Sequence, residues 1–127
     1  MQRRTFVIGG TLLASASPAG AASNVVVIYV GGWDCPYCIT WKNQSRADWL
    51  ASDTAKRVRY VEVEAPSLKQ AYQERYWPDD LLPVLEQVPH KSGTPRFLVA
   101  KKGKLVANAF GTNKWPNAVE AAKKALG

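Results

Sequence analysis

The chain has 127 residues, with 17 Lys and Arg against 10 Asp and Glu, and carries a formal charge of +7. That length fits one domain, and 46% hydrophobic residues exclude an intrinsically disordered chain. Two cysteines and one histidine exclude a disulfide-stapled scaffold, a four-cysteine zinc site and a histidine-rich metal centre.

The N-terminus reads as an export signal. Arg3 and Arg4 give a short positive start, Val7 to Ala16 a mildly apolar stretch, and Ala19 to Ala22 the small residues that a signal peptidase accepts. The stretch is shorter than the roughly 18 residues of a spanning helix. Arg3-Arg4-Thr5-Phe6-Val7 also resembles a twin-arginine signal. The expectation is a signal peptide over 1–22 and a mature domain over 23–127, periplasmic or secreted, with no stable membrane insertion. An uncleaved amphipathic tail or membrane tether is the alternative. Removal of Arg3 and Arg4 leaves 15 basic residues against 10 acidic ones, a mild excess that favours acidic partners or an anionic membrane surface. The basic residues are scattered. Lys101, Lys102 and Lys104 form the one tight group, around a turn, so nucleic-acid binding is not expected.

Val25 to Val30 is a continuous β-branched run, the pattern of a strand buried on both faces, and Gly31-Gly32 is expected to break it. A helix is predicted from Pro36 to about Leu50. Val58 to Glu64 alternates as a second strand. Pro66 is expected to open a helix reaching Tyr76, which Trp77-Pro78 ends. Asp79 or Asp80 is expected to cap a short helix containing Pro83. Arg96 to Ala100 and Leu105 to Phe110 read as strands joined around Lys102-Gly103. Pro116 starts a terminal helix to Leu126, with Ala118, Val119, Ala122 and Leu126 on one stripe. A helix links the first two strands, which makes them parallel with a right-handed crossover. The predicted object is an α/β, four-stranded mixed sheet with helices on both faces.

The chemistry sits at Cys35-Pro36-Tyr37-Cys38. At a helix start Cys35 is the cap, Pro36 the first helical residue and Cys38 the third. Unpaired backbone N–H groups and the helix dipole then favour a Cys35 thiolate. Cys38 lies one turn below, placed to close a disulfide. This suits attack by Cys35 on a partner disulfide and release of the partner by Cys38. Two other readings stand beside the redox pair. Half of a zinc or copper site lacks a second cysteine pair and has only His90 to add. A purely structural disulfide closes so small a loop that it adds little stability.

From Val25 to Leu126 the sequence resembles the thioredoxin superfamily. Three features carry the resemblance: the strand leading into Trp33-Asp34-Cys35-Pro36-Tyr37-Cys38, the Thr94-Pro95 step before a strand, and the hairpin followed by a last helix. The resemblance implies a thioredoxin-like fold and a cis Pro95 beside the cysteines, where it holds an extended substrate. Pro-Tyr between the cysteines is common in glutaredoxins, yet their Gly-Gly glutathione-binding segment is not evident, and the chain reads Gly111-Thr112-Asn113-Lys114. Thioredoxins place a buried acid six residues before the first cysteine, where this chain has Tyr29. The proton acceptor for Cys38 is then left open between Glu62 and water. The first strand and helix of full-length thioredoxin are absent. The insert Asp79 to His90 resembles what small exported thioredoxin-like proteins of bacteria carry, including those associated with sulfur-oxidation operons.

Trp33 is expected to flank the site as an apolar contact surface, and Tyr37 to be exposed between the cysteines. Asp34 is expected to oppose a Cys35 thiolate by like charge. Trp41 and Trp49, eight residues apart, are expected in the core. Arg96 steers an acidic partner or is an edge-strand charge, and His90 is a loop residue or approaches the site. Trp77, Leu81, Leu82, Val84 and Leu85 cover the sheet edge or form a partner patch, through which the insert would narrow specificity. The expected protein is thus an exported thiol–disulfide oxidoreductase. Cys35 attacks, Cys38 resolves, and Thr94, Pro95, Trp33 and Tyr37 position the partner. No cofactor or metal is expected beyond the cysteine pair. The partners are a protein disulfide and a thiol carrier as electron donor, and the direction favoured is reduction. A non-catalytic binding module and a thiolate metal carrier are the rival classes.

Overall fold

The structure, a computed structural model, describes residues 24–127, and the expected export segment 1–22 lies outside them. The first strand, β1 (Val25–Gly32), is the centre of a four-stranded sheet and every residue in it is buried. It pairs in parallel with β2 (Arg59–Ala65) and antiparallel with β3 (Arg96–Lys101). The fourth strand, β4 (Lys104–Phe110), closes the hairpin on β3, and the sheet order is β2-β1-β3-β4. A strand hydrogen-bonded on both sides and covered on both faces can be apolar at every position, which is why the β-branched run carries no alternation.

Gly31 and Gly32 do not break β1. They are its last two residues, paired with Glu64 and Ala65. Each instead permits a close approach. A Cβ on Gly31 would stand 2.0 Å from the Tyr29 hydroxyl oxygen, and one on Gly32 would stand 2.5 Å from the Leu68 backbone nitrogen.

The expected first helix is α1 (Pro36–Trp41), a wider π turn (Lys42–Arg46) and α2 (Ala47–Ala51). Residues 41, 42, 46 and 47 all have right-handed helical angles, so the run continues from Pro36 to Ala51. Ser52 breaks it with an extended backbone and caps α3 (Asp53–Arg57), accepting from the Ala55 N–H at 3.1 Å. This run and the terminal α5 (Trp115–Leu126) cover one face of the sheet.

The other face is covered by short turns and one short helix. No helix runs from Pro66 to Tyr76. That stretch forms two 3₁₀ turns, Leu68–Gln70 and Glu74–Tyr76. Ser67 caps the first turn by accepting from the Lys69 N–H, and the Trp77 indole reaches back to the Ala71 carbonyl at 2.8 Å. These local bonds satisfy the backbone without a regular helix. Asp79 and Asp80 cap nothing: they lie in a 3₁₀ turn (Asp79–Leu81) that leads into α4 (Leu82–Glu86), and Asp80 pairs with Arg59. Trp77 and the insert residues Leu81, Val84 and Leu85 are buried against Ile28, Val30, Val63 and Leu98 on this face of the sheet. They complete the core and are not a surface patch for a partner. Among the described residues no helix is long and apolar enough to cross a membrane.

Candidate active site

Cys35 is the residue before α1, with an extended backbone, and its sulfur accepts from the Cys38 N–H at 3.1 Å. The Ile39 N–H closes the first turn on the Cys35 carbonyl at 3.1 Å. Pro36 occupies the first turn, where its missing N–H costs nothing. Cys35 and Cys38 are joined as a disulfide with Cα atoms 5.2 Å apart. Both are buried, Cys35 at 1% and Cys38 at 0% exposure. Trp33 and Tyr37 beside them are 67% and 70% exposed.

The loop before β3 brings its own residues to the sulfur. The Thr94–Pro95 peptide is cis, and the Thr94 hydroxyl donates to the Cys35 sulfur at 3.2 Å. Two donors therefore converge on Cys35, one from the helix and one from the loop. Both would stabilise negative charge on that atom, and the positive end of the Pro36–Ala51 helical run faces the same way. A groove of about 330 Å³ opens beside them, between Tyr37, Thr94, Pro95, Phe110 and Thr112. A larger cavity of about 570 Å³, by Trp49, Asp53 and Trp115, contains none of the expected site residues.

The motif loop is tied to β2 by Trp33 N–H to the Ala65 carbonyl, 2.9 Å. The Asp34 carboxylate accepts from the Leu68 N–H at 2.7 Å. Trp41 and Trp49 are in one buried cluster, as expected of the core. His90 is exposed. Arg96 is neither a steering charge nor an edge charge. It is buried and donates to the Tyr72 hydroxyl, the Asn108 side-chain oxygen and the Ser92 carbonyl, each at 2.7 Å. Tyr72 in turn donates to the Gly93 carbonyl at 2.6 Å. The pair thus clamps the two residues that lead into Thr94-Pro95.

Tyr29, six residues before Cys35, brings a polar group near the disulfide. The Tyr29 ring stacks on Trp41 with centroids 4.9 Å apart, and its hydroxyl donates to Glu64 at 2.9 Å. Burial first, and then the Glu64 hydrogen bond, hold the Tyr29 phenol well above its ordinary value, so it stays protonated. Glu64 also pairs with Lys42. Glu62 is committed elsewhere, to Arg46 at 2.6 Å and to the Tyr60 hydroxyl at 2.6 Å. Burial opposes the Glu62 charge, but these hydrogen bonds outweigh it and hold the carboxyl below the usual range. The signal that could have found Glu64 is strand alternation: residues 60, 62 and 64 share the face on which Tyr29 lies.

A four-stranded mixed sheet, a disulfide at a helix start and a cis proline facing it define the thioredoxin fold, and this chain has that fold. The periplasmic thioredoxin SoxS from Paracoccus pantotrophus, in its reduced form, matches with a TM-score of 0.58 at 14% identity, over 80% of this chain and 98% of that one. Spinach chloroplast thioredoxin F, in its short form, matches with a TM-score of 0.52 at 18% identity, over 83% and 80%. Fasciola hepatica thioredoxin matches with a TM-score of 0.53 at 17% identity, over 81% and 82%. No family model matches the chain and no curated protein matches it by sequence.

Proposed function

We propose that this protein is an exported thiol–disulfide oxidoreductase that reduces disulfides of partner proteins. The observation that carries the reading is the convergence of the Cys38 N–H and the Thr94 hydroxyl on the Cys35 sulfur, beside a cis proline and an open groove. Such donors stabilise a thiolate, the form that attacks.

In the proposed cycle the Cys35 thiolate attacks one sulfur of the partner disulfide. The S–S bond breaks and the partner's other sulfur leaves as a thiolate, which takes up a proton. The Cys38 thiolate then attacks the Cys35 sulfur. The mixed disulfide breaks, the partner's second sulfur leaves, and the Cys35–Cys38 bond forms. The partner has gained two electrons and this protein has lost two. A thiol carrier acting upstream restores the dithiol. Trp33 and Tyr37, both largely exposed, form the apolar rim that meets the partner. Thr94 and Pro95 hold its extended backbone. Export fits the Arg3-Arg4 start and the Ala-rich stretch that follows, and the SoxS neighbour is a periplasmic protein. A domain in that oxidising compartment needs a donor to stay reduced.

The test is the equilibrium reduction potential of the Cys35–Cys38 pair against a glutathione series. A value near roughly −270 mV supports a reductase, and one near roughly −120 mV makes the protein a disulfide donor and overturns the direction. Cys38→Ser separates an enzyme from a static binding module: an enzyme then accumulates mixed disulfides through Cys35. Mass analysis of the exported protein checks the loss of residues 1–22.

A further inference from the structure

Cys38 has a proton to lose and no exposure through which to lose it. Its sulfur is 0% exposed in a cluster built from Tyr29, Trp41, Phe97 and Trp115. A thiol in such surroundings is a poor nucleophile until a base removes its proton. The polar atom that faces it is the Tyr29 hydroxyl. The Cβ position that Gly31 leaves empty lies 2.0 Å from that oxygen and 3.1 Å from the Cys38 sulfur. Oxygen and sulfur therefore look across a gap no wider than those two distances together. When the disulfide opens, the Cys38 side chain is released to rotate into it. The hydroxyl has its own proton committed to Glu64 at 2.9 Å, which leaves its lone pairs free to accept.

We infer that Tyr29 and Glu64 form the route by which Cys38 exchanges its proton with solvent. This rests on the dithiol cycle proposed above. The thiol proton passes to the Tyr29 oxygen as the phenolic proton passes to the Glu64 carboxylate, so the phenol is unchanged and the tyrosinate is never formed. The Cys38 thiolate then attacks the Cys35 sulfur and expels the partner thiolate. Glu64, with 21% of its side chain exposed, passes the proton to water. The reverse transfer protonates Cys38 when the protein is reduced.

Charged groups on each side of the route fit this direction. Lys42 pairs with Glu64 and stands 5.6 Å from the centre of the Tyr29 ring, so a positive charge lies at the carboxylate end of the route. Arg46, one turn further along, binds Glu62 and keeps that second carboxylate out of the path. From β3 the residue against Tyr29 is Phe97, which carries no charge. Gly31 is part of the device, since any side chain there would fill the gap.

A single-turnover stopped-flow experiment tests this. Reduced protein is mixed with an equimolar nitrobenzoate disulfide whose released thiolate is coloured. The first colour burst reports attack by Cys35 and the second reports attack by Cys38. Tyr29→Phe removes only the hydroxyl and Glu64→Gln only the accepting charge. Each is expected to slow the second burst by about a hundredfold near neutral pH and leave the first unchanged. The deficit is expected to shrink as pH rises past the ordinary thiol pKa of about 8.5, where hydroxide removes the proton directly. Glu62→Gln is expected to leave both bursts unchanged. A second burst unaltered in Tyr29→Phe and Glu64→Gln, or slowed equally at every pH, overturns the inference. Loss of the second burst in the unsubstituted protein would instead overturn the dithiol cycle.

Discussion

The two faces of the sheet are built from different materials. One face packs Trp41, Trp49, Trp115, Phe97 and Tyr29 around the two sulfurs, in ring contacts of 4.8 to 6.1 Å. The other packs Ile28, Val30, Val63, Leu98, Val84 and Leu85 under the insert, with Trp77 as its one indole. The difference extends to polar atoms. Among the described residues the Trp41 and Trp49 indole N–H groups have no partner, whereas that of Trp77 donates to the Ala71 carbonyl. The aliphatic face closes the core. The aromatic face also carries a disulfide, a tyrosine and a route to a carboxylate. Chemistry and the cost of unpaired polar groups have been placed on the same side.

The sharpest way to break this contrast is to remove one large side chain from each face. Trp41→Ala is expected to cost about 3–5 kcal/mol and to change the potential of the cysteine pair, because its ring supports Tyr29. Leu98→Ala is expected to cost about 2–5 kcal/mol and to leave the potential unchanged. Denaturant unfolding and redox titration of both variants check the pair. Gly31→Ala is next, at about 1–3 kcal/mol, since its Cβ collides with a buried ring that has little room to move. Its unfolding midpoint is expected to drop together with the rate of the second colour burst.

A smaller effect separates the indoles. Trp77→Phe and Trp49→Phe remove similar area, but the first also loses a buried hydrogen bond and strands the Ala71 carbonyl. Trp77→Phe is expected to be the more costly by about 1 kcal/mol in the same unfolding assay. The smallest effect is a pH dependence at the edge of the aromatic face. The folded Glu62 carboxyl sits below its unfolded value. Its contribution is therefore complete above the unfolded value of about 4.3 and is lost as pH falls through the lower folded one. The group is partly exposed, so the loss should stay under about 1 kcal/mol. Glu62→Gln is expected to flatten that part of the stability curve, measured between pH 5 and pH 3.

Local chemistry made much of this molecule legible. A β-branched run after which two glycines follow reads as a doubly covered strand. Cys35-Pro36-Tyr37-Cys38 after such a strand caps a helix. Lys102-Gly103 between two apolar runs turns a hairpin. Each of these depends on neighbours within a few residues, and the structure has all three. The reading failed where a segment answers to distant contacts. Pro66 to Tyr76 has a fair helical pattern, but the Trp77–Ala71 bond and the need to bury Ala71 and Trp77 hold it in short turns. Gly31-Gly32 looks like a stop because the Tyr29 hydroxyl and the Leu68 backbone that need the space are not its sequence neighbours. Arg96 looks like a surface charge until Tyr72, Asn108 and Ser92 are seen to surround it.

The division between the two cysteines follows the same line. The amino-acid sequence alone determined that Cys35 stands at a helix start with Cys38 one turn on, because cap, proline and spacing are local. It also determined that no acid stands six residues before Cys35. Only the tertiary structure decided what takes the place of that acid. The parallel pairing of β1 with β2 brings Glu64 alongside Tyr29, and the empty face of Gly31 opens the hydroxyl toward Cys38. A register between strands some thirty residues apart is set by the packing of the whole sheet, and no local pattern contains it.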